Sequence, residues 1–138
     1  MIPTLCIALL LGSVVQVLPT DRMTLTWMHS VEKRPWEEDY RVFGDALVID
    51  EARVKTSGAG MDPPPDAIWE AGWWRYRPTT GVLSELVVAN SEHAAGYTLC
   101  WGGVCRALSE LVGANAFVRI AARACLPQTH DGQRRAQD

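Results

Sequence analysis

The stretch Met23-Thr24-Leu25-Thr26-Trp27-Met28-His29-Ser30, followed across a charged loop by Glu37-Glu38-Asp39-Tyr40-Arg41-Val42-Phe43, decides the fold class. In each run apolar and polar side chains alternate with a period of two, the pattern of a strand that buries one face. Leu25 and Trp27 define the apolar face of the first run, and Tyr40 and Val42 that of the second. His29 and Glu38 continue those faces, so both are expected to point inward.

An antiparallel pairing with Leu25 opposite Val42 and Trp27 opposite Tyr40 sets His29 opposite Glu38 at the mouth of the core. A carboxylate there favours the charged imidazole and burial opposes it, so His29 is expected to titrate near neutral pH. The plainer reading of the pair is a hydrogen bond that fixes the hairpin; the sharper one is a binding or acid–base role. Glu37, Asp39 and Arg41 fall on the outward face, where a charge row is expected to be solvated.

Working outward, the same alternation predicts strands over Ala46 to Lys55, Trp73 to Arg77, Leu83 to Ala89, Gly96 to Trp101, Val104 to Leu108 and Asn115 to Ala124. Gly44-Asp45 and Gly102-Gly103 read as two-residue hairpins, and Pro78 to Gly81 as a turn. Ser57 to Ala71 carries Gly58-Ala59-Gly60 and Pro63-Pro64-Pro65 and reads as a long loop. Ser109 to Val112 suits one helical turn, and Pro127 to Asp138 is polar and aperiodic, the composition of a disordered tail.

Ahead of these strands, Ile2 to Leu18 holds no charge and reads as a signal peptide or a short membrane anchor in helical form. The expected architecture is therefore all-β: a small antiparallel sandwich or partly open barrel over residues 21–126, preceded by an N-terminal apolar helix over residues 1–20 and followed by a tail from residue 127. With 138 residues, one domain is expected, large enough to bury a core unaided. The formal charge of −3 and pI near 5.6 argue against a nucleic-acid surface, and membrane contact is expected only through the N-terminal segment.

The cysteines support export. With Gly102-Gly103 as the turn, Cys100 stands opposite Cys105 at a non-hydrogen-bonded position, within disulfide reach. Such a bond fits an oxidising compartment outside the cytoplasm, the periplasm or cell envelope. With Cys6 assigned to the apolar leader, Cys125 is left without a partner.

Other chemistry is sparse in the sequence. His29 and Glu32 would fall on opposite faces of a strand and no zinc-type spacing occurs, so no metal is expected. Gly58-Ala59-Gly60 matches neither a Walker loop nor a dinucleotide fingerprint, and no cofactor is expected. His93 reads as an exposed loop residue, and no serine lies in a nucleophile elbow.

The blocks Trp27-x-His29-Ser30-Val31-Glu32-Lys33-x-x-Trp36-x-Glu38, Gly58-Ala59-Gly60-Met61 and Gly96-Tyr97-x-Leu99-Cys100 resemble a bacterial family known as domain of unknown function 1850. The resemblance spans about residues 23–125, and its first block is the specific part. It implies a small extracytoplasmic domain whose genes often lie beside tripartite ATP-independent periplasmic transporters of the TAXI type. It carries over no catalytic residues.

The candidate binding residues are His29, Ser30, Glu32, Trp36, Glu38, Gly58, Gly60 and Met61. The expected function is an extracytoplasmic accessory or binding module that contacts a transporter permease or its solute-binding protein. Two alternatives stand beside it: a hydrolase-like enzyme using His29 and Glu38 as acid and base, and a structural partner of a membrane complex.

Overall fold

The fold is taken from a computed structural model, which describes residues 4–28, 35–55, 63–79, 81–90, 96–113 and 116–125. The elements run β1 (Leu5–Leu11), β2 (Ser13–Leu18), β3 (Arg22–Met28), β4 (Pro35–Phe43), β5 (Ala46–Val54), β6 (Ile68–Glu70) and β7 (Trp73–Tyr76). There follow β8 (Val82–Leu83), β9 (Leu86–Asn90), β10 (Thr98–Trp101), β11 (Val104–Ala107), the single-turn helix α1 (Leu108–Val112) and β12 (Ala116–Ala124).

They form two antiparallel sheets. One has four strands in the order β2-β1-β12-β9; the other has eight, in the order β11-β10-β3-β4-β5-β7-β6, with β8 pairing β5 from the side. Among the described residues β11 and β6 do not meet, so the larger sheet is not a closed barrel. Between the sheets lies one apolar core. Ile7, Leu9, Leu18, Val118 and Ile120 come from the smaller sheet, and Met23, Leu25, Tyr40, Leu47 and Leu99 from the larger.

The apolar N-terminal run is two strands of this domain, not the helix expected in front of it. Cys6, Ile7, Ala8 and Leu9 are all fully buried, because β1 is the second strand of its sheet and is covered on both faces. Ile7 and Leu9 enter the main core, while Ala8 and Leu10 join Ala121 in a smaller cluster on the opposite face. A strand buried on both faces reads as a continuous apolar run, which is why its sequence lacks alternation. Among the described residues no helix is long and apolar enough to cross a membrane.

Cys125 is not solitary either. It bonds Cys6 across the β1–β12 ladder, with the Cα atoms 5.0 Å apart, and so ties together positions 119 residues apart in sequence. The expected bond between Cys100 and Cys105 is present, closing the Gly102-Gly103 hairpin with a Cα separation of 4.0 Å.

The register between β3 and β4 also departs from expectation. Leu25 lies opposite Glu38, Trp27 opposite Trp36 and Met23 opposite Tyr40, a slip of four residues from the pairing of Leu25 with Val42. Alternation fixes register only to the nearest even shift, because any even slip leaves every side chain on its own face. The choice among even shifts falls to cross-strand partners, and here the Trp27 and Trp36 rings stack with centroids 5.5 Å apart and planes 18° from parallel. The partnership of His29 with Glu38 rested on the other register; His29 itself lies outside the described residues.

The single strand expected over Leu83 to Ala89 is instead two, β8 pairing β5 in the larger sheet and β9 pairing β12 in the smaller, because the chain crosses between the sheets at residues 84–85. The other strands over residues 46–124 fall close to where alternation placed them. The long loop over residues 57–71 is shortened by β6, an edge strand whose three residues are all exposed. Between β4 and β5 a bulge lies at Asp39/Tyr40, where Asp39 pairs Glu51 and Tyr40 pairs Ile49, leaving Asp50 as the extra residue. The expected tail lies outside the described residues.

Candidate functional site

The inward face of the larger sheet becomes polar toward one end. Leu99, Leu25, Glu38, Ala52 and Tyr76 are successive cross-strand partners, so one row crosses five strands and places a carboxylate between Leu25 and Ala52. The next row on the same face is aromatic, with Trp27, Trp36, Val54, Trp74 and Trp69 as successive partners. Tyr97 closes that row beyond Trp27, its ring centroid 5.5 Å from the indole. At the other end Trp69 and Trp74 meet at 5.2 Å.

Local structure holds these groups in place. Tyr97 is fixed from behind because its carbonyl accepts a hydrogen bond of 2.8 Å from the backbone N–H of Leu108 at the start of α1. Leu108 is itself fully buried, and the Ala107 N–H is capped by the Glu110 carboxylate at 2.9 Å. The Tyr40 hydroxyl, almost fully buried, donates a hydrogen bond of 2.5 Å to Glu38 Oε1.

Electrostatics tie three phenols to this one carboxylate. Burial, and then the hydrogen bond to Glu38 and the charge of that carboxylate, push the Tyr40 phenol far above its ordinary value. Tyr76 and Tyr97 are raised by burial first and by the charge of Glu38 second. Among the described residues no arginine, lysine or histidine forms an ion pair with Glu38. A half-buried acceptor that holds one phenol hydroxyl and lies beside an aromatic row can receive a further hydrogen-bond donor while the row offers a surface for a flat or apolar group.

The outward face of the same strands is organised differently. Arg53 donates from Nε to Glu37 at 2.9 Å, to both oxygens of Asp39 at 2.7 and 2.8 Å, and to Glu51 at 2.7 Å. Arg75 continues the chain to Glu51 and Glu70, and Arg41 pairs with Asp50 at 2.9 Å. Thr24 adds a hydroxyl donor to Asp39 at 2.7 Å. Burial works to raise the Asp39 carboxyl, but the hydrogen bonds from Arg53 and Thr24 outweigh it and hold it below its ordinary value. Arg53 is held protonated by the same contacts, the bond to Asp39 foremost.

Of the residues singled out from sequence, the structure describes Trp36 and Glu38 and places them two apart on the inward face of β4. His29, Ser30, Glu32, Gly58, Gly60 and Met61 lie outside the described residues. Met28, Pro35, Lys55 and Gly96, which bound three of the undescribed segments, are all at the end of the sheet that carries the aromatic row. Sequence reasoning missed Tyr40, Tyr76 and Tyr97 as neighbours of Glu38, and Arg53 as the hub of the outer face. Their strand parity was readable, since Ala52, Val54, Trp74 and Tyr76 fall on one face and Glu51 and Arg53 on the other, but the strand order that brings them to Glu38 or to Asp39 was not.

Comparison with known proteins gives one match. Neither the curated proteins nor the solved structures yield a match to this chain. A family model described as "Domain of unknown function (DUF1850)" matches residues 23–108, from β3 to the start of α1. That span contains the whole eight-stranded sheet with the Glu38 site, and it covers well over half of the chain: the protein belongs to the DUF1850 family.

Proposed function

We propose that this protein is an extracytoplasmic binding or accessory module that works beside a TAXI-type tripartite solute transporter, contacting its permease or its solute-binding protein. The recognition site is the inward end of the larger sheet around Glu38 and Trp36. The observation that carries this reading is a half-buried carboxylate with no cationic partner among the described residues, set beside a row of aromatic rings. Such a combination suits recognition, because the carboxylate fixes orientation and the rings supply contact area at low entropic cost.

Two further points support it. Both disulfides are compatible with an oxidising compartment. The link to a tripartite transporter comes from the family resemblance. Acid–base catalysis by His29 and Glu38 has lost the register that made them cross-strand partners.

The test is affinity purification of the tagged full chain from solubilised membranes, with quantitative mass spectrometry of the co-purifying transporter components. Wild type is expected to retain them. Glu38→Gln, which keeps the side-chain volume, should reduce recovery roughly tenfold, as the loss of one charged contact of about 1.4 kcal/mol predicts. Trp36→Ala should do the same with circular dichroism unchanged. Absence of every transporter component from the wild-type sample overturns the accessory role.

A further inference from the structure

The two disulfides differ in access: Cys6–Cys125 joins a fully buried to a half-buried cysteine, and Cys100–Cys105 a half-buried to an exposed one. Cys6 is fully buried within the β1–β12 ladder. Cys105 is exposed on β11, the edge strand of the larger sheet, and Cys100 is half-buried beside it. A groove of about 560 Å³ runs past this hairpin, lined among others by Cys100, Trp101, Gly102, Gly103, Thr24 and Asp39. From this we propose that the Cys100–Cys105 bond is a thiol–disulfide exchange site whose reaction partner is a protein dithiol.

Exchange requires a thiolate to approach one sulfur along the axis of the bond, so access decides which disulfide reacts. The edge position of β11 leaves Cys105 open to such an approach, and the groove gives room for a loop of the partner beside it. The hairpin does not need the bond for its shape. Gly102 and Gly103 adopt φ of 55° and 80°, the left-handed geometry of a tight two-residue turn, and the ladder from Thr98↔Ala107 to Trp101↔Val104 is held by the backbone. With only five residues of separation, the link closes a loop that the turn already closes.

The reaction balances as follows. A thiolate of the partner attacks Cys105 Sγ, a mixed disulfide forms, and Cys100 Sγ leaves as a thiolate that takes a proton from water. The partner's second thiol, on losing its proton, attacks the partner's own sulfur in the mixed disulfide and releases Cys105 as a thiolate, which is protonated in turn. Two electrons pass from the dithiol to this chain; the partner becomes a disulfide and the chain carries two thiols. Run backwards, the same steps oxidise the hairpin.

The experiment uses the folded full chain in two arms. In the first, graded dithiothreitol is followed by acid quench, alkylation and peptide mass spectrometry. Cys100–Cys105 is expected to open before Cys6–Cys125, on the order of 10-fold faster, because Cys105 is the more accessible sulfur, with the circular dichroism spectrum unchanged. In the second, a reduced thioredoxin-fold protein whose resolving cysteine is replaced by serine should be trapped as a mixed disulfide on Cys105. Cys100→Ser/Cys105→Ser should fold and trap nothing. Opening of both disulfides at one rate, or opening only on unfolding, overturns the proposal. A small dithiol that opens the bond while the protein dithiol leaves no trapped species removes the protein partner. A trap on Cys100 in place of Cys105 overturns the assigned point of attack.

Discussion

Replacing Cys6 and Cys125 together by alanine should cost far more stability than replacing Cys100 and Cys105. A disulfide acts in large part by restricting the unfolded chain, and the restriction grows with the logarithm of the loop it closes. For the separation of 119 residues between Cys6 and Cys125 the chain-entropy relation gives about 5 kcal/mol, and for the separation of 5 between Cys100 and Cys105 about 2 kcal/mol. The longer link also removes a sulfur from a fully buried position, which adds a cavity. Against a typical domain stability of about 5–15 kcal/mol, the Cys6→Ala/Cys125→Ala protein should sit near the edge of folding at room temperature. The assay is urea denaturation followed by tryptophan fluorescence and circular dichroism, extrapolated to water for wild type and both double variants. A long-loop variant that loses no more than the short-loop variant refutes the reasoning: it would mean that β1 and β12 are not joined in the native protein, or that the unfolded chain keeps its ends together unaided.

Three other outcomes follow from particular side chains. Leu9→Ala removes a fully buried core residue of β1 opposite Ile120 and should destabilise the fold by about 3 kcal/mol; a loss under about 0.5 kcal/mol, the scale of surface substitutions, would place residues 5–18 outside the core. The folded-state values of Tyr40, Tyr76 and Tyr97 lie above the ordinary 10.0, so the stability they contribute is present below that pH and is lost as pH rises through the folded values. Phenolate absorbance should therefore lag at pH 10 and appear together with unfolding, and Glu38→Gln should bring it earlier; free titration near pH 10 in the folded state would refute the cluster. For Asp39 the sign is reversed: its folded value is depressed, so its contribution is present above the ordinary 3.8 and is lost as pH falls through the folded value. The gap in urea midpoint between wild type and Asp39→Asn should narrow from pH 5 to pH 2, and a constant gap would mean that Arg53 and Thr24 do not set the charge of Asp39.

How much of this was legible depends on what each feature needs. A strand with one buried face announces itself by alternation, which is why β3, β4, β5 and β10 lie where the sequence places them. β1 is buried on both faces, so its apolar run carries no period and reads equally well as a leader helix. The short disulfide was legible because the turn residues set its partner locally. The long one was not, since nothing near Cys6 points to a position 119 residues away. Glu38 was placed inward by parity alone, whereas its tyrosines come from β4, from β7 and from the approach to β10, and only strand order brings those together.

The two faces of the larger sheet differ in how they use charge, and the proposed recognition site rests on that difference. On the outward face Arg41, Arg53 and Arg75 are each bonded to carboxylates, and Glu37, Asp39, Asp50, Glu51 and Glu70 are each bonded to a guanidinium. A ligand must displace those bonds to gain any of its own, so the lattice contributes to stability and offers little to recognition. On the inward face the hydrogen bond that Glu38 receives from Tyr40 leaves its charge uncompensated among the described residues, and that charge reaches Tyr76 and Tyr97. A donor arriving there gains a carboxylate already partly desolvated by aromatic neighbours, where each new hydrogen bond is worth more than in water. Neutralising Arg53 should therefore weaken the fold with recognition intact in whatever fraction stays folded, and neutralising Glu38 should spare the fold and weaken recognition. A protein whose binding followed Arg53 instead would carry its site on the other face.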